Sequence, residues 1–124
     1  MKKHILLTLI LICSFQIIIA QKNTSPVMKM LVKHAWTKSH EQLGTITLAF
    51  KADSTYTVAG IPDDTIRGVF SLKADVLTFA DENSCHSKGI YSVTPTDETL
   101  TFVLKEDACE GRNMITPGIW KASK

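Results

Sequence analysis

The sequence has no excess of charge of either sign. Its 124 residues include 14 Lys and Arg against 12 Asp and Glu, which gives a net charge of +2. The charges are mixed along the chain and form no basic stripe. A protein that binds nucleic acid by neutralising phosphates needs such a stripe, so nucleic acid is not an expected partner.

The sequence also lacks the short motifs of the common enzyme and metal-binding classes. It contains no HExxH, CxxC or GxSxG motif, no paired histidines, no EF-hand pattern and no glycine-rich phosphate loop. We therefore expect no catalytic residue, no cofactor and no metal site, and we interpret the protein as a non-enzyme. The histidines that follow the N-terminal segment (His34, His40 and His86) are interpreted as surface residues.

A long apolar run is present only at the N-terminus. Lys2 and Lys3 precede an apolar stretch over residues 5–19, which ends in the small residue Ala20. A basic start, an apolar centre and a small final residue are typical of a secretory signal peptide, which we place at residues 1–20. The run is short for a membrane span, which needs about 20 apolar residues.

Cleavage after this segment would leave residues 21–124, a length suited to one domain, with a net charge of zero. We expect that domain to be secreted, or located in the periplasm or cell envelope, with no membrane span. A lipoprotein anchor at Cys13 and an uncleaved N-terminal anchor are the alternatives.

Cysteine is scarce, and Cys13 lies within the predicted signal peptide. Cys85 and Cys109 remain, and an even pair in an exported protein most often forms a disulfide. The bond would close a loop of about 24 residues and add about 3 kcal/mol to stability by the chain-entropy model. Two free thiols, or a metal pair formed with His86, are the alternatives.

The remainder of the sequence predicts an all-β domain. Ser25 followed by Pro26 is typical of a helix N-cap and first turn, so a short helical segment is expected there. From Trp36 onward apolar residues alternate with polar ones, as in half-buried strands separated by short turns. Eight such strands favour an antiparallel up-and-down barrel, because closure removes both exposed edges. A β-sandwich is the alternative.

The inward positions of these strands carry large aromatic side chains. An eight-stranded barrel is just wide enough to be filled by side chains or to hold one small ligand. The aromatic residues at inward positions are therefore the candidate ligand-binding residues: Phe50, Tyr56, Phe70, Phe79, Tyr91 and Phe102.

Several segments together resemble a known family. They are Trp36 after an apolar helical turn, then GTITLAF at 44–50, GVFSL at 68–72, VLTF at 76–79, GIYSV at 89–93, LTF at 100–102, DACEGR at 107–112, and Trp120. The pattern resembles that of small bacterial secreted lipocalin-like (calycin) domains. The resemblance implies that Trp36 packs beneath a cation supplied by Arg112, since a guanidinium over an indole face is stabilising. Glu106, Asp107 and Glu110 are interpreted as charge partners of Arg112 or as solvated loop.

The resemblance implies a binding function. We expect a monomeric carrier that binds a small apolar ligand inside the barrel. The alternative is a protein-interaction or protease-inhibitor module with a filled barrel and no small ligand, for which residues 21–30 could supply the contact. A structural or envelope-stress domain without any ligand is a third hypothesis.

Overall fold

The structure is a computed structural model, and it describes residues 25–62, 65–80 and 82–123. The predicted signal peptide over residues 1–20 lies outside this part of the chain. The elements in chain order are α1 (Pro26–Lys33), β1 (Trp36–His40), β2 (Gly44–Phe50), β3 (Thr55–Ala59), β4 (Ile66–Lys73), β5 (Val76–Ala80), β6 (Gly89–Pro95), β7 (Thr99–Asp107), α2 (Glu110–Ile115) and β8 (Gly118–Ala122).

The eight strands form one closed antiparallel barrel in which each strand pairs with its neighbours in sequence. β8 pairs with β1 to close it, through Trp36 opposite Ala122 and Thr37 opposite Lys121. The prediction of an eight-stranded up-and-down barrel with a short N-terminal helix is confirmed. The alternative β-sandwich does not form, because closure satisfies the ladder groups that two separate sheets would leave at their edges.

The two ends of the barrel differ in how the strands are joined. At one end, which we name the turn end, short connections at 51–54, 74–75 and 96–98 join consecutive strands. At the opposite end, which we name the loop end, one connection is short (41–43) and three are longer (60–65, 81–88 and 108–117), the last of which contains α2. The longer connections give the loop end the room to build a site.

Helix α1 covers the turn end. The Ser25 side chain accepts a hydrogen bond from the Met28 backbone N–H at 3.2 Å, and Pro26 occupies the first turn, so the predicted cap is present. The helix places Leu31 in the core, where it is fully buried. The indole Nε1–H of Trp36 donates to the Leu31 carbonyl oxygen at 3.1 Å, which attaches the helix to the first strand.

Alternating side chains of the strands fill the barrel. The buried apolar residues are Leu31, Trp36, Ile46, Leu48, Phe50, Tyr56, Phe70, Leu77, Phe79, Tyr91, Val93, Leu100, Phe102 and Trp120. They form one cluster, as expected when the period-two pattern of each strand turns one face inward. The interior is therefore a packed core that runs from α1 to the loop end.

Candidate functional site

The six aromatic residues predicted to bind a ligand all lie inside the barrel and contact one another. None is more than 4% exposed. The ring centroids of Phe50 and Phe70 are 4.9 Å apart, and those of Tyr56 and Phe79 are 4.8 Å apart, both in edge-to-face geometry. Tyr91 and Phe102 extend this arrangement towards Trp120. These rings are one another's packing partners.

A cavity of about 30 Å³ lies at the loop-end limit of this core. Its lining includes Tyr56, Phe79, Glu82, Arg112 and Trp120. Such a volume accommodates little more than one water-sized group. We call this space the head pocket, and its polar residues belong to a buried cluster at the loop end.

The buried cluster pairs each tyrosine of the core with a carboxylate. The Tyr56 hydroxyl donates to Glu82 Oε1 at 2.5 Å, and the Tyr91 hydroxyl donates to Asp107 Oδ2 at 2.5 Å. Glu82 is 4% exposed although it lies in the connection between β5 and β6. The phenols thus cross the apolar core and bring their oxygen atoms to the loop end.

Arg112 of α2 joins the two pairs. Its Nε and Nη2 atoms donate to the two Asp107 carboxylate oxygens at 2.7 and 2.9 Å, and Nη2 also donates to the Ser87 carbonyl oxygen at 2.6 Å. This fork geometry is the strong form of an arginine–carboxylate pair. Nη1 lies 3.7 Å from Glu82 Oε2. Nη1 is buried, and no described residue accepts a hydrogen bond from it.

The environment of the cluster shifts several pKa values. Burial and the hydrogen bond to Glu82 raise the pKa of Tyr56 far above its ordinary value, and burial and Asp107 do the same to the pKa of Tyr91. Burial would raise the pKa of Asp107, but hydrogen bonds from Arg112, Tyr91 and the Cys109 backbone N–H outweigh it, so that pKa is lowered. The phenols are therefore hydrogen-bond donors, and Asp107 is the acceptor.

Two glycines, which have no side chain, provide the space that the cluster occupies. A Cβ atom at Gly68 would lie 2.8 Å from the ring of Tyr56, the residue it faces across β3 and β4. A Cβ atom at Gly89 would lie 2.5 Å from Asp107 Oδ2 and 2.7 Å from Arg112 Nε. The absence of a side chain at these two inward positions lets the tyrosine and the ion pair pack directly against the strands.

The predicted disulfide between Cys85 and Cys109 is present, with the two Cα atoms 6.1 Å apart. It joins the connection that carries Glu82 to the residue that precedes α2, and thereby fixes Glu82 relative to Arg112. Glu82 lies close to both sulfurs, a group of three potential metal ligands. Because the sulfurs are bonded to each other, they offer no thiolate, and the predicted alternatives for these cysteines do not apply.

A groove of about 350 Å³ opens beside the cluster at the loop end. Its apolar wall is formed by Val58, Ile61, Ile66 and Ile115, and its polar part includes Arg112 and Glu82. The groove shares Val58, Glu82, Arg112, Ile115 and Thr116 with the head pocket. Small-molecule sites typically have about 300–1,000 Å³ and a mostly apolar lining with a few polar groups. The groove meets both criteria at the lower end of the size range.

The predicted packing of Trp36 beneath Arg112 is wrong. Trp36 begins β1 and pairs with Ala122 at the turn end, whereas Arg112 lies in α2, which precedes β8 at the loop end. The guanidinium Cζ lies 6.0 Å from the centroid of Phe79 instead. At the side of the barrel near β8, Lys38 supplies the cation, with Nζ 5.6 Å from the Trp120 ring. The family pattern therefore predicted a contact between two residues, Trp36 and Arg112, that lie at opposite ends of the barrel.

Part of the cluster follows from the sequence. Asp107 does act as the charge partner expected for Arg112, whereas Glu106 is exposed. Glu82, Gly68 and Gly89 carried no signal in the sequence, because an isolated acidic residue in a polar stretch and a glycine within a strand are both common. Only the register, which sets Gly89 opposite Asp107, shows their role.

None of the helices in the described residues has the length and apolarity that crossing a membrane requires. Comparison of the chain with protein-family models, with curated proteins and with solved structures found no match.

Proposed function

We propose that this protein is an exported, non-catalytic binding module that takes a small ligand in the groove at the loop end of the barrel. One observation carries the proposal: Arg112 belongs to the wall of a mostly apolar groove of about 350 Å³, and its buried Nη1 donor has no hydrogen-bond acceptor among the described residues. Buried polar groups are nearly always paired, so an unpaired donor beside a groove points to a ligand.

Because the interior of the barrel is packed, a binding site at the loop end is favoured over a site deep inside the barrel. The head pocket of about 30 Å³ is too small for a whole organic ligand. The six interior aromatics then act as the scaffold beneath the groove. The raised pKa values of Tyr56 and Tyr91 keep both phenols protonated near neutral pH and make them poor proton donors, which favours binding over acid–base catalysis. The disulfide agrees with export to an oxidising compartment.

The groove can be tested by filling it. A Cβ atom at Gly111, which lies in the groove wall on α2, would meet no other atom within 4 Å. Gly111→Leu should therefore fill the groove without disturbing the core. We expect the emission of N-phenylnaphthylamine, an uncharged fluorescent probe, to rise with the wild-type protein and to stay low with Gly111→Leu.

Met114→Leu is the matched control, because it places leucine on the same helix at a side chain that is 72% exposed. The control should bind the probe as the wild type does. Equal emission with Gly111→Leu and with the wild type would place the probe elsewhere and contradict the proposal.

A protein-interaction module is the second candidate, and the outer surface of β7 and β8 favours it. Val103 and Ile119 are 58% and 60% exposed there. Ile119 pairs with Thr101, two residues from Val103 on the same face of β7, so the two apolar side chains are diagonal neighbours. Exposed apolar patches mark contact sites for other proteins. Under this candidate the probe would not bind the groove at all, and Gly111→Leu would leave partner binding unchanged.

The N-terminal segment, residues 21–30, gives little support to the protease-inhibitor hypothesis, which needs a free apolar segment for contact with a partner. Val27 and Met28 pack against the core as part of α1, so they are not a free apolar leader. Residues 21–24 lie outside the described part of the chain. Removing residues 21–30 would take most of α1 from the turn end and uncover Leu31, so it would also destabilise the barrel.

A further inference from the structure

The chemistry of the cluster specifies what kind of ligand the groove accepts, on the premise that the groove is a binding site as proposed above. A guanidinium has five N–H donors. The Nε donor and both Nη2 donors of Arg112 are used by Asp107 and the Ser87 carbonyl. Both Nη1 donors remain, because Glu82 Oε2 at 3.7 Å is beyond hydrogen-bond distance. A ligand that satisfies this site must bring an acceptor atom.

The charge of the cluster excludes one class of acceptor. Arg112 already faces two carboxylates, Asp107 at 2.7 Å and Glu82 at 3.7 Å. An anionic ligand would place a third negative charge in the cluster, beside Glu82, which is 4% exposed and poorly screened by water. The two tyrosine hydroxyls cannot help the anion, because each donates its proton to a carboxylate of the protein. An uncharged acceptor avoids this repulsion.

A cation is unsuited for a different reason, which is its lack of an acceptor atom. Glu82 and Asp107 would attract a ligand ammonium, but an ammonium carries only donors and would leave Nη1 without an acceptor. The polar end of the ligand is therefore an uncharged oxygen, as in an ester, ketone or amide carbonyl.

The shapes of the two spaces divide the ligand into two parts. The head pocket of about 30 Å³ has room for a single oxygen, and Arg112 lines it. The groove of about 350 Å³ continues from it along Val58, Ile61, Ile66 and Ile115, which offer only apolar side chains. We infer that the site binds an uncharged small molecule in which one carbonyl oxygen enters the head pocket towards Arg112 Nη1 and a short apolar body lies in the groove.

The test compares three probes that share one alkyl chain and differ in the head group: methyl octanoate, octanoate and octylammonium. Titration calorimetry with the purified protein measures each dissociation constant. We expect methyl octanoate to bind at least about tenfold more tightly than either charged probe. The preference should be lost in Gly111→Leu together with binding itself.

Arg112→Lys separates the role of Nη1 from that of the positive charge, because lysine keeps the charge but lacks the planar fork that offers donors on two sides. We expect this variant to lose most of its affinity for methyl octanoate. Its fold is checked by far-ultraviolet circular dichroism. If this variant is unfolded, the head-group series on the wild-type protein decides the question alone.

The possible failures are distinguishable. If octanoate or octylammonium binds as tightly as the ester and Gly111→Leu still abolishes binding, the groove is a site but the inferred ligand class is wrong. If a folded Arg112→Lys protein binds the ester as the wild type does, the role of Nη1 is wrong. If no probe binds the wild type, or if Gly111→Leu binds all three unchanged, both this inference and the proposed function are overturned.

Discussion

At Gly89 the backbone of β6 passes so close to the Asp107–Arg112 pair that even a methyl group has no room. The added Cβ of Gly89→Ala would lie 2.5 Å from Asp107 Oδ2 and 2.7 Å from Arg112 Nε. We expect this substitution to lower the free energy of unfolding by about 1–3 kcal/mol, the usual cost of overpacking. Urea denaturation followed by tryptophan fluorescence measures it, since Trp36 and Trp120 are both buried.

Gly111→Ala is the matched control, because the same added methyl group meets nothing there. It should leave stability unchanged or raise it by about 0.4–1 kcal/mol, through the lower entropy of the unfolded chain. A Gly89→Ala protein as stable as Gly111→Ala would show that the ion pair can move away from β6 without cost.

At the scale of single residues, the sequence predicts which side chains are buried better than it predicts what they bond. The inward position of Tyr56 and Tyr91 follows from the alternation of apolar and polar residues within their own strands. Their carboxylate partners do not follow, because Glu82 and Asp107 are 26 and 16 residues away, respectively, along the chain. A bond across that separation depends on strand register and loop path, which local sequence does not encode.

Among the elements, α2 depends most on its attachments. It has six residues, too few to be stable as an isolated helix. The disulfide holds its N-terminal side, and Lys38 Nζ donates to the Ile115 and Pro117 carbonyl oxygens at its C-terminal side. The helix exists because the barrel holds it at both ends.

Removing the disulfide should therefore loosen α2 more than the strands. In the Cys85→Ser/Cys109→Ser double variant we expect stability to fall by about 3 kcal/mol, the chain-entropy value for a 24-residue separation. Hydrogen exchange should show early loss of protection at the Asn113 and Thr116 amides, which bond to the Cys109 and Arg112 carbonyls. Equal protection of α2 in both proteins would mean that Lys38 and packing hold the helix without the covalent link.

At the scale of the whole molecule, the buried cluster sets a pH window for folding. The folded-state pKa of Asp107 is lowered, so its contribution to stability is complete above the unfolded value of about 3.9 and is lost as the pH falls through the folded value. The tyrosine pKa values are raised, so their contribution is complete below the unfolded value of about 10 and is lost as the pH rises through the folded values.

The alkaline limit can be observed directly, because Tyr56 and Tyr91 are the only tyrosines in the sequence. We expect no tyrosinate absorbance from the native protein near pH 10, where a free phenol is about half ionised. The absorbance should appear at higher pH, together with the loss of the tryptophan signal of the fold. Tyrosinate that forms while the protein stays folded would contradict the hydrogen bonds to Glu82 and Asp107.

The barrel as a whole was accessible from the sequence because strand period and turn length are local properties, and together they leave few topologies. The sequence did not reveal at which end of the barrel each residue lies. The predicted contact between Trp36 and Arg112 was wrong for that reason. The groove at the loop end likewise forms where long connections meet in space. No single segment of the sequence predicts it.

The hydrogen bond from the Ser123 N–H to the Ala35 carbonyl oxygen, at 2.8 Å, brings the two flanks of the barrel together beside α1. Ser123, the last described residue, therefore lies beside the start of β1 at the turn end. A fusion partner joined after Ser123 would begin at the turn end, which is the end of the barrel opposite the groove.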